Sequence, residues 1–144
     1  MSPQECPLCH ATAEKVLFCC DKFRIIQVAD PLYPAYYRLI WGEHVKEMSD
    51  LSEEDQQLVL RALMLIEKTM IAELKPEKIN WAQFGNMVPH VHWHLIARWK
   101  DDAAFPDNSW CPVKRETAPE VLAARQKAAD LCGEVIAEKF LTQF

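Results

Sequence analysis

The chain has 144 residues, half of them apolar on a broad count and 26% charged, proportions expected of a soluble globule with room for one core. Its 16 Lys and Arg against 21 Asp and Glu leave a formal net charge of -5, which argues against a nucleic acid or a membrane surface gripped by a broad basic face. The 3 glycines, Gly42, Gly85 and Gly133, lie too far apart for a dinucleotide-binding or P-loop glycine motif.

In chain order, the start MSPQECPLCH lacks the basic opening and apolar run of a signal peptide. No stretch approaches the ~18 apolar residues of a membrane helix, so a cytoplasmic protein with reduced thiols is expected. Cys6 and Cys9, separated by two residues, read as a metal or redox pair. Residues 15–20 (KVLFCC) and 23–29 (FRIIQVA) predict a hairpin. Cys19 and Cys20, adjacent on one strand, face opposite ways and are read as packing residues. Asp30-Pro31 and Tyr33-Pro34 break the chain, and residues 36–41 (YYRLIW) predict a third strand that turns at Gly42-Glu43-His44.

Ser52 before Glu53, Glu54 and Asp55 is an N-cap with an acidic first turn. Leu58, Ala62, Leu65, Ile66 and Thr69 follow at helical spacing, predicting a core-packing helix over 53–74 that stops before Pro76. Residues 78–84 (KINWAQF) and 90–98 (HVHWHLIAR) predict a fourth and a fifth strand. Residues 100–116 read as a loop with Pro106 and Pro112. Pro119 opens a second helix, within about 117–140, carrying Leu122, Ala129, Ile136 and Phe140. Strands and helices that do not alternate regularly indicate an α+β domain spanning 1–144, with a five-stranded, largely antiparallel sheet.

Three of the 5 histidines, His90, His92 and His94, fall within one short segment. Alternation along a strand puts all three on one face, with Val91, Trp93 and Leu95 on the other, toward the core. At about 3.3 Å per residue, His90 and His94 stand about 13 Å apart on a regular strand. That is too far to share one metal through nitrogen bonds of about 2.0–2.1 Å. A row of neutral imidazoles suits an extended anion such as a polyphosphate. With no basic face and no glycine cradle, phosphate is expected to be held at one small site by neutral side chains and backbone groups.

The segment Gly85-Asn86-Met87-Val88-Pro89-His90-Val91-His92-Trp93-His94-Leu95-Ile96 resembles the signature of the histidine-triad (HIT) family, in which histidines alternate with apolar residues. The resemblance covers about residues 6–111. It implies an α+β fold, usually paired as a homodimer, and a nucleotide hydrolase or transferase acting on a small nucleotide of the dinucleoside polyphosphate or nucleoside phosphoramidate class. It makes His92 the nucleophile, attacking the α-phosphorus to form a nucleotidyl-histidine that water cleaves. It places His94 on phosphate oxygens or the leaving group, Asn86 near the α-phosphate and Asp30 on the ribose hydroxyls. It also implies a structural zinc held by Cys6, Cys9, His44 and His90, with His10 a poorer ligand. From the residues alone, Asn86 is equally a turn residue beside Gly85, and Asp30 an Asx turn before Pro31.

Two departures keep another function in view. Met87 stands where many relatives carry a hydroxyl residue, and Trp41-Gly42-Glu43-His44 replaces the usual Pro-x-x-His. Both are compatible with a non-catalytic nucleotide-binding or zinc-stabilised module on the same fold. A metalloenzyme built on a His-x-His pair is a third possibility. Trp110 is within reach of the site from its loop, whereas Cys111 and Cys132 have no assigned partner.

Overall fold

The computed structural model describes residues 1–144. Strands β1 (Lys15–Cys19) and β2 (Phe23–Gln27) form the expected hairpin, followed by β3 (Tyr36–Trp41). Helix α1 (Glu53–Leu74) leads to β4 (Lys78–Ala82) and β5 (His92–Arg98), and helix α2 (Pro119–Gln143) closes the chain. All neighbours in the five-stranded sheet are antiparallel, in the order β1-β2-β3-β5-β4. This is the α+β architecture anticipated from the strand and helix pattern. No helix is long and apolar enough to cross a membrane.

Local chemistry sets the ends of α1. The Ser52 hydroxyl accepts from Asp55 N–H, and Lys75 leaves the helix in the left-handed region at φ 48°, immediately before Pro76. Alternation gives the sheet two distinct faces. Phe23, Ile25, Tyr37, Leu39, Trp41, Leu95 and Ala97 face the core, where they meet Ala62, Leu63, Ile66 and Met70 of α1 and Ala129, Cys132, Ile136 and Phe140 of α2. Full burial of each large aliphatic or aromatic side chain is worth about 1.5–3 kcal/mol, so both helices are held to this face by the core. Tyr37 reaches through it to donate to Ala129 O at 2.6 Å. Tyr36, Arg38 and Ile40 of β3 alternate with the core set. Register pairs Arg38 with His94 and Ile40 with His92, so the site is built on the face away from the helices.

Four strands are shorter than expected: β1 ends at Cys19 and β2 at Gln27, and the other two bear on the site. β4 ends at Ala82, releasing Gln83 and Phe84, and β5 begins at His92 rather than His90. The residues before His92 make different backbone bonds: His90 N–H donates to Val88 O at 2.8 Å, Val91 N–H to Val45 O at 2.7 Å, and Trp41 N–H to Val91 O at 3.0 Å. The bond to Val45, in the turn after His44, takes the chain out of the regular ladder.

A buried ion pair pins the loop beyond β5. The Arg98 guanidinium donates to both carboxylate oxygens of Asp102, at 2.8 and 2.9 Å, to Asn80 Oδ1 on β4 and to Asp107 O. Asp102 also accepts from the backbone N–H groups of Trp99 and Phe105. Burial raises the pKa of Asp102, but the Arg98 and backbone donors outweigh burial and hold it below the ordinary carboxylate value. Replacing Arg98 by Met leaves this carboxylate buried without its cation. The expected loss is about 3–5 kcal/mol of stability by denaturant unfolding. The double variant Arg98→Met/Asp102→Leu should recover part of it.

Candidate active site and metal centre

Cys6 and Cys9 come from an N-terminal turn in which Cys9 N–H donates to Cys6 O at 3.2 Å. Arg24 of β2 ties that turn to the sheet, donating to Leu8 O at 2.9 Å while paired with Glu14. The thiols meet His44, from the turn after β3, and His90. The four donor atoms all lie within 4.8 Å of one another. Cys9 Sγ stands 3.5 Å from both His44 Nδ1 and His90 Nδ1, Cys6 Sγ is 3.6 Å from His90 Nδ1, and the two imidazole nitrogens are 3.3 Å apart. A tetrahedron with metal–nitrogen bonds of ~2.0–2.1 Å and metal–sulfur bonds of ~2.3 Å has edges of about 3.3 Å between nitrogens and about 3.6 Å between nitrogen and sulfur.

The tautomers agree with this geometry. His90 Nε2–H donates to Trp41 O and His44 Nε2–H to Met1 O, leaving both Nδ1 lone pairs directed at the thiols. These four residues can hold a metal ion. His10 stays outside, with its Nε2 on Pro3 O.

The placement of His90 breaks the strict alternation expected of the three histidines and brings it to Cys6, Cys9 and His44, the set that the resemblance implies. Its ring belongs to the thiol cluster, because its backbone has left the strand. His92 and His94 remain on β5 with ring centroids 4.9 Å apart. His92 Nδ1–H donates to His90 O at 2.6 Å, so Nε2 keeps its lone pair. Burial lowers the His92 pKa, the carbonyl bond opposes that, and Arg38 lowers it further, the net shift being downward. His92, His94 and Asn86 line one cavity of about 490 Å³. Gly85, at φ +70°, turns the chain into this wall where a side chain would be strained.

Arg38 also lines this cavity, and sequence reasoning missed it. An arginine inside YYRLIW gives no sign of its target until register sets it opposite His94. Its Nε–H donates to His94 Nδ1 at 3.2 Å, and its Nη2 to the Tyr36 hydroxyl at 3.1 Å. Tyr36 in turn donates to His94 Nδ1 at 2.6 Å. The expectation that only neutral groups would meet phosphate is therefore corrected: a guanidinium stands beside the imidazoles.

Phe84 and Trp110 form the aromatic rim, in edge contact at 5.0 Å between centroids, with Trp110 5.1 Å from the His94 ring. Met87 on the same wall is 89% exposed. Asp30 is not brought to this cavity. Its Oδ1 accepts from Leu32 N–H and Tyr33 N–H, the Asx turn allowed by the sequence, and it lines a separate cavity of about 440 Å³ with Lys15 and Gln27. Cys111 and Cys132 are free thiols, Cys132 buried in the core.

Burial, the charge of Arg38 and the neighbouring His92 push the His94 pKa down from 6.5 to about 3. The unfolded chain therefore takes up a proton near pH 6.5 that folded His94 refuses. This group's contribution to stability is complete above that pH and is lost as pH falls toward 3. The His94 ring resonances should show no titration between about pH 5 and 8 in an NMR pH series, where an unperturbed imidazole passes its midpoint. A midpoint inside that window would contradict the burial and donor geometry.

Comparison with known proteins agrees with this geometry. No curated protein matches the chain by sequence. A histidine triad protein of Marinobacter aquaeolei has a similar structure, with TM-score 0.66 and 25% identity over 85% of this chain and 90% of that one. A histidine triad (HIT) protein of Sinorhizobium meliloti follows at TM-score 0.65 and 26% identity, covering 81% and 85%. A Zn-bound histidine triad family protein of Mycobacterium smegmatis shares the fold at TM-score 0.61 and 14% identity, covering 99% of this chain and 100% of that one. The HIT domain matches residues 11–101, and the chain belongs to the HIT domain family.

Proposed function

We propose that the protein is a nucleotide phosphohydrolase or nucleotidyl transferase in which His92 attacks the α-phosphorus of a small nucleotide. The observation that carries this reading is the 2.6 Å bond from His92 Nδ1–H to the His90 carbonyl, which leaves Nε2 unprotonated at a cavity shared with His94 and Asn86. In the first step the Nε2 lone pair forms an N–P bond and the bond from phosphorus to the leaving group breaks with its electron pair. In the second, water forms a P–O bond and sheds a proton to solvent, the N–P bond breaks, and its electron pair returns to His92 Nε2 as the nucleoside monophosphate leaves. His94 donates from Nε2–H to phosphate oxygens, and the Asn86 amide is a further donor where charge develops. Asp30 would reach a ribose only by giving up its Asx turn, so a ribose role for it needs local rearrangement.

Zinc is the metal best suited to two thiolates and two imidazoles, in keeping with the Zn-bound mycobacterial neighbour. Cys6, Cys9, His44 and His90 would hold it, and it would supply a cross-link between the N-terminal turn and the segment entering β5. The free outer edge of β4 and the exposed Leu60, Met64 and Ile71 of α1 support pairing with a second copy.

In His92→Ala, hydrolysis of adenosine phosphoramidate and of a dinucleoside polyphosphate should fall by at least about three orders of magnitude, with the unfolding midpoint held near that of the parent. Full residual turnover would overturn the role of His92. Metal analysis of protein produced with zinc should give one zinc per chain, lost in Cys6→Ser. The alternative, a nucleotide-binding module without turnover, is motivated by Met87 in place of a hydroxyl. Saturable nucleotide binding with no hydrolysis of either substrate would favour it.

A further inference from the structure

The His94 imidazole is held by two donors on the same nitrogen. The Tyr36 hydroxyl donates to Nδ1 at 2.6 Å and the Arg38 Nε–H donates to it at 3.2 Å. Arg38 Nη2 also donates to the Tyr36 oxygen at 3.1 Å, so the hydroxyl hydrogen is left to point at His94. An imidazole whose Nδ1 accepts twice must carry its proton on Nε2. A neutral Nε2–H group is a hydrogen-bond donor but not a useful acid, since giving up its proton would create an imidazolate. Burial of His94, which is 6% exposed, and the adjacent guanidinium both oppose a second proton on the ring. Met87 offers no hydroxyl to stand in as a proton donor.

A leaving group that departs from this site thus has no evident protein acid, but it has a cation. Arg38 is half-buried, lines the cavity and lies opposite His94 in the sheet register. Its bonds to His94 and Tyr36 use Nε and Nη2. A guanidinium can present further N–H groups to phosphate oxygens, with charge assistance.

We propose that Arg38 is an anion-binding, specificity-determining residue and Tyr36 a positioning residue for His94, so that the site favours a leaving group departing as a phosphate anion over an amine that must be protonated. This rests on the attack by His92 argued above. In the favoured reaction the N–P bond to His92 forms, the bridging P–O bond breaks, and its electron pair leaves on the terminal phosphate of the departing nucleotide. That oxygen is an anion stable in neutral water, so no proton transfer is needed in the step. With a phosphoramidate the breaking P–N bond would place the pair on an amide nitrogen, which must take a proton from solvent as it departs.

The test combines kinetics with spectroscopy on the full chain. Diadenosine tetraphosphate and adenosine 5′-phosphoramidate are the two probes, compared in the parent, Arg38→Met, Arg38→Lys and Tyr36→Phe. Arg38→Met should lower kcat/KM for the tetraphosphate by at least about tenfold and lower it several-fold less for the phosphoramidate. Arg38→Lys should recover part of the loss. The ¹⁵N spectrum of the parent should show His94 protonated at Nε2 and unprotonated at Nδ1, with Tyr36→Phe admitting the other tautomer.

Equal losses on both substrates in a folded Arg38→Met protein, or His94 protonated at Nδ1 in the parent, would overturn the proposal while leaving attack by His92 standing. A parent that hydrolyses neither probe would overturn both the catalytic reading and the specificity that rests on it. The tautomer measurement would still decide the positioning role of Tyr36.

Discussion

The bond between the His92 ring and the His90 carbonyl joins the two halves of the site. His90 uses its ring and its backbone for different purposes: Nδ1 faces Cys6, Cys9 and His44, while the carbonyl accepts from His92 at 2.6 Å. That division is possible because residues 90 and 91 leave the sheet. Val91 bonds instead to Val45 and Trp41, which also brings the turn bearing His44 to the same place. Anything that fixes the thiol cluster therefore fixes the carbonyl that sets the tautomer of the proposed nucleophile. Leu8 extends the link, since it lies between the two cysteines in sequence and lines the cavity of His92.

Electrostatics give the cavity its second constraint. The chain is acidic overall, with a net charge of -5, so long-range attraction of a polyanion is not available. Charge is supplied locally, by Arg38 beside two buried imidazoles whose pKa values are pushed down. Neutral rings keep their lone pairs free of protons, and the permanently charged guanidinium adds a cation without competing for a proton. The Arg98–Asp102 pair stands apart from this chemistry and holds the loop that delivers Trp110 to the rim.

Much of this was legible in the sequence wherever the cause is local. Ser52 and Pro76 mark the ends of α1, Pro119 opens α2, and alternation in YYRLIW and HWHLIAR separates core positions from site positions. The donor set Cys6, Cys9, His44 and His90 was reachable from the resemblance, and the structure brings those four atoms together. What escaped has non-local causes. The departure of His90 from the strand is dictated by Val45 and Trp41, more than forty residues away in the chain. Arg38 is an ordinary exposed-face strand residue until the β3–β5 register sets it against His94. Asp30 had two readings, and its side chain is engaged by the backbone N–H groups next to it, a contact made at no cost in loop closure.

The most direct measurement is intact mass after brief mixing with a nucleoside phosphoramidate or dinucleoside polyphosphate, followed by peptide mapping. The account predicts a transient gain of one nucleotidyl group located on His92. Turnover without any such adduct under rapid quenching that preserves the N–P bond, or an adduct on another residue, would contradict it.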